Sequence, residues 1–278
     1  VSLDVPLSGD GTKSLSATIT DAAGNASTAS NAVSIVLDTT APLAPSIGSL
    51  SDDQAPLVST VSNGGATNDA TPTLNLFFNG YGAVAGDTVR LYANGVEVGS
   101  KALSAAEASS GTASVTSAAL SGDGPKTFTA TFTDAAGNVS PVSTGFTVTF
   151  DTTAPTETTT VRLSSDSGAS STDGVTSNPA LAGTVSSGQT GVLVTVFDGG
   201  VEIGTATTTT GGAWTLANAS ATAGGHTYTA RVTDAAGNLG PAGATSPATT
   251  VIDTAAPAAA PSIGPVTDDA GPVTGTVA

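Results

Sequence analysis

Along this chain, apolar and polar residues alternate in short runs, and three of those runs are near copies. Leu15-Ser16-Ala17-Thr18-Ile19, Phe128-Thr129-Ala130-Thr131-Phe132 and Tyr228-Thr229-Ala230-Arg231-Val232 each place apolar side chains two residues apart. A period of two predicts half-buried β-strands. Each run leads into the same residues, Thr-Asp-Ala-Ala-Gly-Asn, at Thr20–Asn25, Thr133–Asn138 and Thr233–Asn238. A second strand follows and ends in an Asp-Thr-x-Ala-Pro tag that begins at Asp38, Asp151 and Asp253. The motif aspartates stand 113 and 100 residues apart, and the tags 113 and 102. A spacing near 100 residues is the size of a domain, so the pattern predicts a tandem array of similar domains.

The rest of the chain fits that frame. Residues 1–42 carry the last strands of a first repeat, since Leu7-Ser8-Gly9-Asp10-Gly11 matches Leu120-Ser121-Gly122-Asp123-Gly124. A second repeat spans 43–155. Its predicted strands are Thr73 to Phe78, Asp87 to Ala93, Val96 to Lys101, Thr112 to Leu120, Lys126 to Thr133 and Val142 to Phe150. Asn94-Gly95 between two alternating runs is a strong two-residue hairpin signal. Ala102 to Ala108 is expected as a loop insertion rather than a helical turn. A third repeat spans 156–257, with a hairpin at Val192–Ala206 around Asp198-Gly199-Gly200 and a core residue at Trp214. His226 sits where the other repeats have Lys13 and Lys126, and is expected to face solvent at a strand start. Residues 258–278 open a further repeat: Pro261-Ser262-Ile263-Gly264 and Asp268-Asp269 match Pro45-Ser46-Ile47-Gly48 and Asp52-Asp53. Seven or so short strands per repeat, all antiparallel by their short connections, predict an all-β fold of tandem immunoglobulin-like sandwiches arranged as an extended rod. The repeats at either end are incomplete, which suggests a window on a longer array.

Composition narrows the function. The 22 acidic residues outnumber the 6 basic ones, for a formal charge of −16, so nucleic acid and anionic membranes are poor partners. Of the acids, 18 are Asp and 4 are Glu. Short carboxylates on loops serve either as turn formers or as oxygen ligands for a hard cation, and both readings stay open. The chain has no cysteine, which removes disulfides and thiolate chemistry. No apolar run has membrane length and no signal-peptide pattern begins at Val1. With one His, a Ser-His-Asp set is not expected, and carboxylates that recur in every repeat suit architecture better than a single active site. Enzyme activity is therefore not expected.

Several pieces occur together: Asp-Ala-Ala-Gly-Asn, Asp-Thr-Thr-Ala-Pro, the Asp52-Asp53 pair after Pro-Ser-Ile-Gly, and Thr67-Asn68-Asp69-Ala70-Thr71-Pro72. Their joint pattern resembles the bacterial Ig-like repeats that build giant type I-secreted adhesins and biofilm-associated proteins of Gram-negative bacteria. The resemblance covers nearly the whole chain. It implies an extracellular stalk at the bacterial cell surface, with calcium between domains as the stiffening cofactor. The third repeat departs from the pattern, with Ser164-Ser165-Asp166 and Asp173-Gly174 in place of Asp52-Asp53 and with Asn178-Pro179 lacking a counterpart of Asp69.

Sandwich topology then suggests where the acids meet. The Asp-Ala-Ala-Gly-Asn loop lies at the pole where a domain begins, and the tag lies at the pole where it ends. One junction is expected to gather Asp10 and Asp38 against Asp134 and Asn138. The next is expected to gather Asp69, Asp123 and Asp151 against Asp234 and Asn238. Asp52 and Asp53 belong either to this junction or to a site within the domain. Calcium among these carboxylates would relieve their repulsion and fix the angle between domains. The expected function is a non-catalytic stalk or filament segment of a surface adhesin, for adhesion or biofilm formation. The alternative is that the repeats bind glycan or a host surface directly. Expected partners are neighbouring Ig-like repeats of the same longer chain and further copies in a fibre or biofilm matrix, without nucleic acid or membrane insertion.

Overall fold

The computed structural model describes residues 4, 6–78, 82–217, 221–243, 245–246, 249–264, 266–268 and 275–277. Asp269, matched in sequence to Asp53, lies outside them. Contacts divide the chain into two compact units, Val1–Thr156 with Thr233–Pro241, and Glu157–Val232 with Ala242–Ala278.

In the first unit the strands are β1 (Gly11–Leu15), β2 (Val33–Leu37), β3 (Ser46–Asp52), β4 (Ser59–Val61), β5 (Ala66–Thr67), β6 (Thr73–Phe77), β7 (Thr88–Ala93), β8 (Val96–Ala102), β9 (Thr112–Thr116), β10 (Gly124–Thr133) and β11 (Phe146–Phe150). β1 and β2 pair with each other. The others form two sheets, in the orders β4-β3-β6-β9 and β5-β11-β10-β7-β8. Alternation decides which side chains enter the core. Leu74 and Leu76 come from β6, Val89 and Leu91 from β7, and Phe128, Ala130 and Phe132 from β10, all essentially inaccessible to water. Each large apolar side chain so buried contributes about 1.5–3 kcal/mol. Phe78 and Phe132 meet edge to face at 4.8 Å across the sandwich.

Two expectations change here. Residues Ala105–Ser110 form a helix, α1, where a loop insertion was expected. Ser104 and Glu107 cap it reciprocally: the Ser104 hydroxyl accepts the Glu107 N–H, and the Glu107 carboxylate accepts the Ser104 N–H. The strands are also not all antiparallel, because β5 pairs with β11 in parallel, Thr67 beside Phe150. After β4 the chain turns at Asn63–Gly65 and joins the opposite sheet, where it runs alongside the last strand. A parallel neighbour so distant in sequence needs no hairpin, so short connections do not reveal it.

The second unit contains β12 (Val161–Leu163), β13 (Val175–Thr176), β14 (Leu181–Thr184), β15 (Leu193–Asp198), β16 (Val201–Thr207), β17 (Ala213–Leu216), β18 (Gly224–His226), β19 (Tyr228–Thr233), β20 (Thr245–Ser246) and β21 (Thr250–Ile252), followed by the pair β22 (Val266–Asp268) and β23 (Gly275–Val277). The sheets are β17-β14-β12-β20, β13-β21-β18 and β16-β15-β19. β12 with β20 and β13 with β21 are again parallel. The core gathers Val161, Leu181, Val194, Val196, Trp214, Tyr228 and Val232. Trp214 is a core residue, as expected, and its indole N–H donates to the Thr159 hydroxyl at 2.9 Å. Gly183 lies directly against this ring: a Cβ there would stand 2.5 Å from Trp214 and 1.9 Å from the Thr160 carbonyl oxygen. His226 does not face solvent. Its side chain is 10% exposed and bonds Asp198.

Candidate functional site

The recurring Asp-Ala-Ala-Gly-Asn loop has one geometry in all copies. In the second, Asp134 Oδ1 accepts the N–H groups of Ala136 and Asn138, both at 2.9 Å, and Asp134 Oδ2 accepts the Asn138 side-chain amide at 2.9 Å. The Gly137 N–H donates to the Asp134 carbonyl at 3.1 Å. Asp21 and Asp234 repeat these bonds with Asn25 and Asn238. The glycine that closes each turn has a φ of 93–97°, which an L side chain rarely adopts. Turn chemistry thus engages both oxygens of each motif carboxylate. Donation from the asparagine side chain, first, and from loop amides holds Asp21 and Asp134 below the ordinary carboxylate pKa.

The asparagine also reaches out of its own loop. Asn138 donates to the main-chain carbonyl of Asp38 at 3.1 Å, and Asn238 to that of Asp151 at 2.8 Å. Asn68 donates to Asn238 Oδ1 at 3.2 Å, while the Asn68 N–H donates to the Ala236 carbonyl at 3.0 Å. The segment Thr233–Pro241 therefore packs inside the first unit, where Ala236, Gly237 and Asn238 are buried.

Asp10 and Asp123 stand beside the tags. Asp123 Oδ1 accepts the Thr152 N–H at 3.0 Å and its hydroxyl at 2.8 Å, and Oδ2 accepts the Thr153 hydroxyl at 2.7 Å. Asp10 takes the same bonds from Thr39 and Thr40. The hydroxyl of Thr40 or Thr153 is the largest cause of a lowered pKa in each. The carboxylates of Asp38, Asp151 and Asp253 each accept an N–H two residues on, an Asx turn that shapes the tag. Asp52 belongs within its domain: its Oδ2 accepts the Thr67 hydroxyl at 2.7 Å, and that hydroxyl accepts the Asp69 N–H at 3.1 Å. Asp53 is exposed. In the second unit Thr176 takes the place of Thr67, with Ser167 at 3.0 Å as its partner instead of an aspartate.

Among the described residues, no three His, Asp or Glu side chains stand close enough to hold a metal ion together. The structure does leave some buried oxygens unused. Asp69 Oδ2, Asn68 Oδ1 and Asp87 Oδ1 are buried without hydrogen-bond partners. Asp87 is 4% exposed and lines an open cavity of about 460 Å³ with Asp38, Asp134, Thr40, Pro42 and Val84. Sequence reasoning missed Asp87. It stands at a turn before a strand, where an Asp looks like turn chemistry, and the matched position in the third repeat is Val192.

A family model described as "Bacterial Ig-like domain" matches residues 48–152 and 153–254. No curated protein matches the chain. Among solved structures, the fibronectin(III)-like modules of Clostridium thermocellum CbhA are 16% identical, with a TM-score of 0.39, over 73% of this chain and 93% of that one. The FN1-FN3 domains of chicken CNTN1 are 14% identical, with a TM-score of 0.41, over 81% and 73%. A tetra-tandem repeat in the extending region of a large adhesion protein is 21% identical, with a TM-score of 0.27, over 88% and 57%. Scores this low carry no argument, and the family match stands without them.

Proposed function

The chain belongs to the bacterial Ig-like domain family, and from that membership we propose that it is a non-catalytic structural segment of a bacterial surface adhesin, a stalk outside the cell. The matching family is not an enzyme family. Among the described residues no helix is long and apolar enough to cross a membrane. The observation that carries the reading is a bond built twice: Asn138 to the Asp38 carbonyl, and Asn238 to the Asp151 carbonyl. In each case the loop motif of one repeat holds the terminal tag of the repeat before it. A module evolved to capture a ligand has no need to repeat that link, whereas a tandem array does.

The stiffening cation of this reading is calcium. The residue chemistry suits a hard divalent ion, because Asp38, Asp87 and Asp134 line one cavity and Asp87 Oδ1 is buried and unpartnered. The three do not stand close enough to hold an ion as they are, so calcium would have to draw them together, with Asp87 as its buried anchor, and would then neutralise their repulsion. Asn68, bonded to Asn238, and its neighbour Asp69 each carry an unpartnered buried oxygen of the same kind. In low calcium the acidic loops would stay loose, and in calcium-rich surroundings they would lock.

Small-angle scattering of the chain, titrated with calcium and then chelator, tests the proposal. Lengthening and sharpening of the maximum dimension with calcium, reversed by chelator and weakened in Asp87→Asn, is the expected result. An unchanged profile would show that the acids are turn formers, and would remove calcium from the mechanism.

A further inference from the structure

The chain's one histidine completes a bonding pattern that the second repeat builds without a titratable group. There, Asn94 Oδ1 accepts the Thr127 N–H at 2.9 Å, and Asn94 Nδ2 donates to the Pro125 carbonyl at 3.4 Å. In the third repeat Asp198 has the same role at the hairpin turn. Its Oδ1 accepts the Thr227 N–H at 3.2 Å, and its Oδ2 lies 2.6 Å from Nδ1 of His226. The other ring nitrogen, Nε2, lies 2.9 Å from the carbonyl oxygen of Thr222. The ring is stacked on Tyr228, with centroids 5.5 Å apart and planes inclined by 3°.

Both ring nitrogens therefore face oxygen acceptors. A neutral imidazole carries a single N–H and can serve one of them, leaving the other nitrogen's lone pair against an oxygen. Only the imidazolium donates to both. The location gives this a consequence. β10 runs from Gly124 to Thr133, and in the second unit β18 and β19 cover the matching stretch with Thr227 between them, its carbonyl accepting the Gly199 N–H at 3.0 Å as the Thr127 carbonyl accepts that of Asn94 at 2.9 Å. β18 pairs with β21 and β19 with β15, as the two halves of β10 pair with β11 and β7. Asp198 is the last residue of β15 and His226 the last of β18, so their bond ties the end of the hairpin to β18.

We propose that His226 and Asp198 form a proton-dependent latch that ties the β15–β16 hairpin of the third repeat to β18 in mildly acidic surroundings and releases it as the surroundings become alkaline. Asp198 is the charged group that faces the ring. The other groups against it are the Tyr228 ring, the Thr222 carbonyl and, across β21, the uncharged Thr250. The Asp198 carboxylate, chiefly, raises the His226 pKa above its ordinary 6.5, and partial burial opposes this. A raised pKa stabilises the folded state fully below the unfolded value, about 6.5. That contribution disappears as pH climbs through the folded value.

The single imidazole makes the test direct, because NMR of the whole chain shows one histidine across about pH 5 to 9. The expected midpoint lies above 6.5, and Asp198→Asn lowers it. Amide exchange at Thr227, corrected for the intrinsic rate, should rise through the same midpoint, by about tenfold for each unit of raised pKa. Thr127, held by Asn94, should show no such step. A midpoint at or below 6.5, one unmoved by Asp198→Asn, or flat protection at Thr227 would overturn the latch. If Asp198→Asn does not fold, His226→Lys serves instead. It installs the residue of the matched position in the second repeat and stays charged throughout. The step at Thr227 should then vanish, and its persistence would refute the proposal.

Discussion

Replacing Asn238 by alanine removes a side chain that joins three separate pieces of backbone. It is 9% exposed. Its amide donates to the Asp151 carbonyl at 2.8 Å and to Asp234 Oδ2 at 2.9 Å, and its oxygen accepts from Asn68 at 3.2 Å. A neutral hydrogen bond is worth about 1 kcal/mol net, and one to a charged group about 1.5–3 kcal/mol. The three bonds share one side chain and are not additive, so about 3 kcal/mol is the expected loss for the first unit. Asn238→Asp should be worse without calcium, because it turns a carboxylate oxygen toward the Asp151 carbonyl and the Asp234 carboxylate. Asn25 provides the control. Its loop is the same, but its side chain bonds only Asp21 among the described residues, and all of it is exposed. Hydrogen exchange across residues 65–70 and 233–240, read beside urea unfolding followed by circular dichroism, measures the effect. A change below about 0.5 kcal/mol in Asn238→Ala, the range of an ordinary surface substitution, would show that the link holds nothing together.

Two further outcomes follow from packing and charge. Gly183→Ala should destabilise the second unit by about 3 kcal/mol, because its Cβ would meet the Thr160 carbonyl oxygen at 1.9 Å. The fluorescence of Trp214, the one tryptophan, reports that unit's unfolding, and an unmoved midpoint would contradict the close approach. The lowered pKa values of Asp10, Asp21, Asp123 and Asp134 set a window in acid. Stability from these groups is complete above the unfolded value of about 3.9 and is lost as pH falls through the lower folded values. Carboxyl-carbon NMR should find all four titrating below that value, and ordinary titration in any of them would remove its turn from the account.

Much of the fold was legible because local rules and global packing agree. Period-two alternation marked β6, β7 and β10, and the same side chains fill the core. Asn94-Gly95 announced its hairpin through the left-handed geometry that both residues adopt. The capping pair Ser104 and Glu107 was equally legible, yet a segment so short and so rich in Ala and Ser shows no apolar stripe to support a helix. The parallel pairing of β5 with β11 left no local mark, since it joins residues more than 80 positions apart. Asp87 was hidden for a different reason: a carboxylate at a turn reads the same whether it faces water or a cavity.

Repetition let the sequence alone establish the tandem array, the all-β class and the loop chemistry of Asp21, Asp134 and Asp234, because a turn depends only on neighbours along the chain. Tertiary structure decided where each loop's asparagine sends its remaining hydrogen. Asn138 and Asn238 find the carbonyls of Asp38 and Asp151, residues 100 and 87 positions away. It also decided that His226 meets Asp198 rather than water. Such partners are set by how distant strands come together, and a motif cannot carry the position of an atom its own residues do not place.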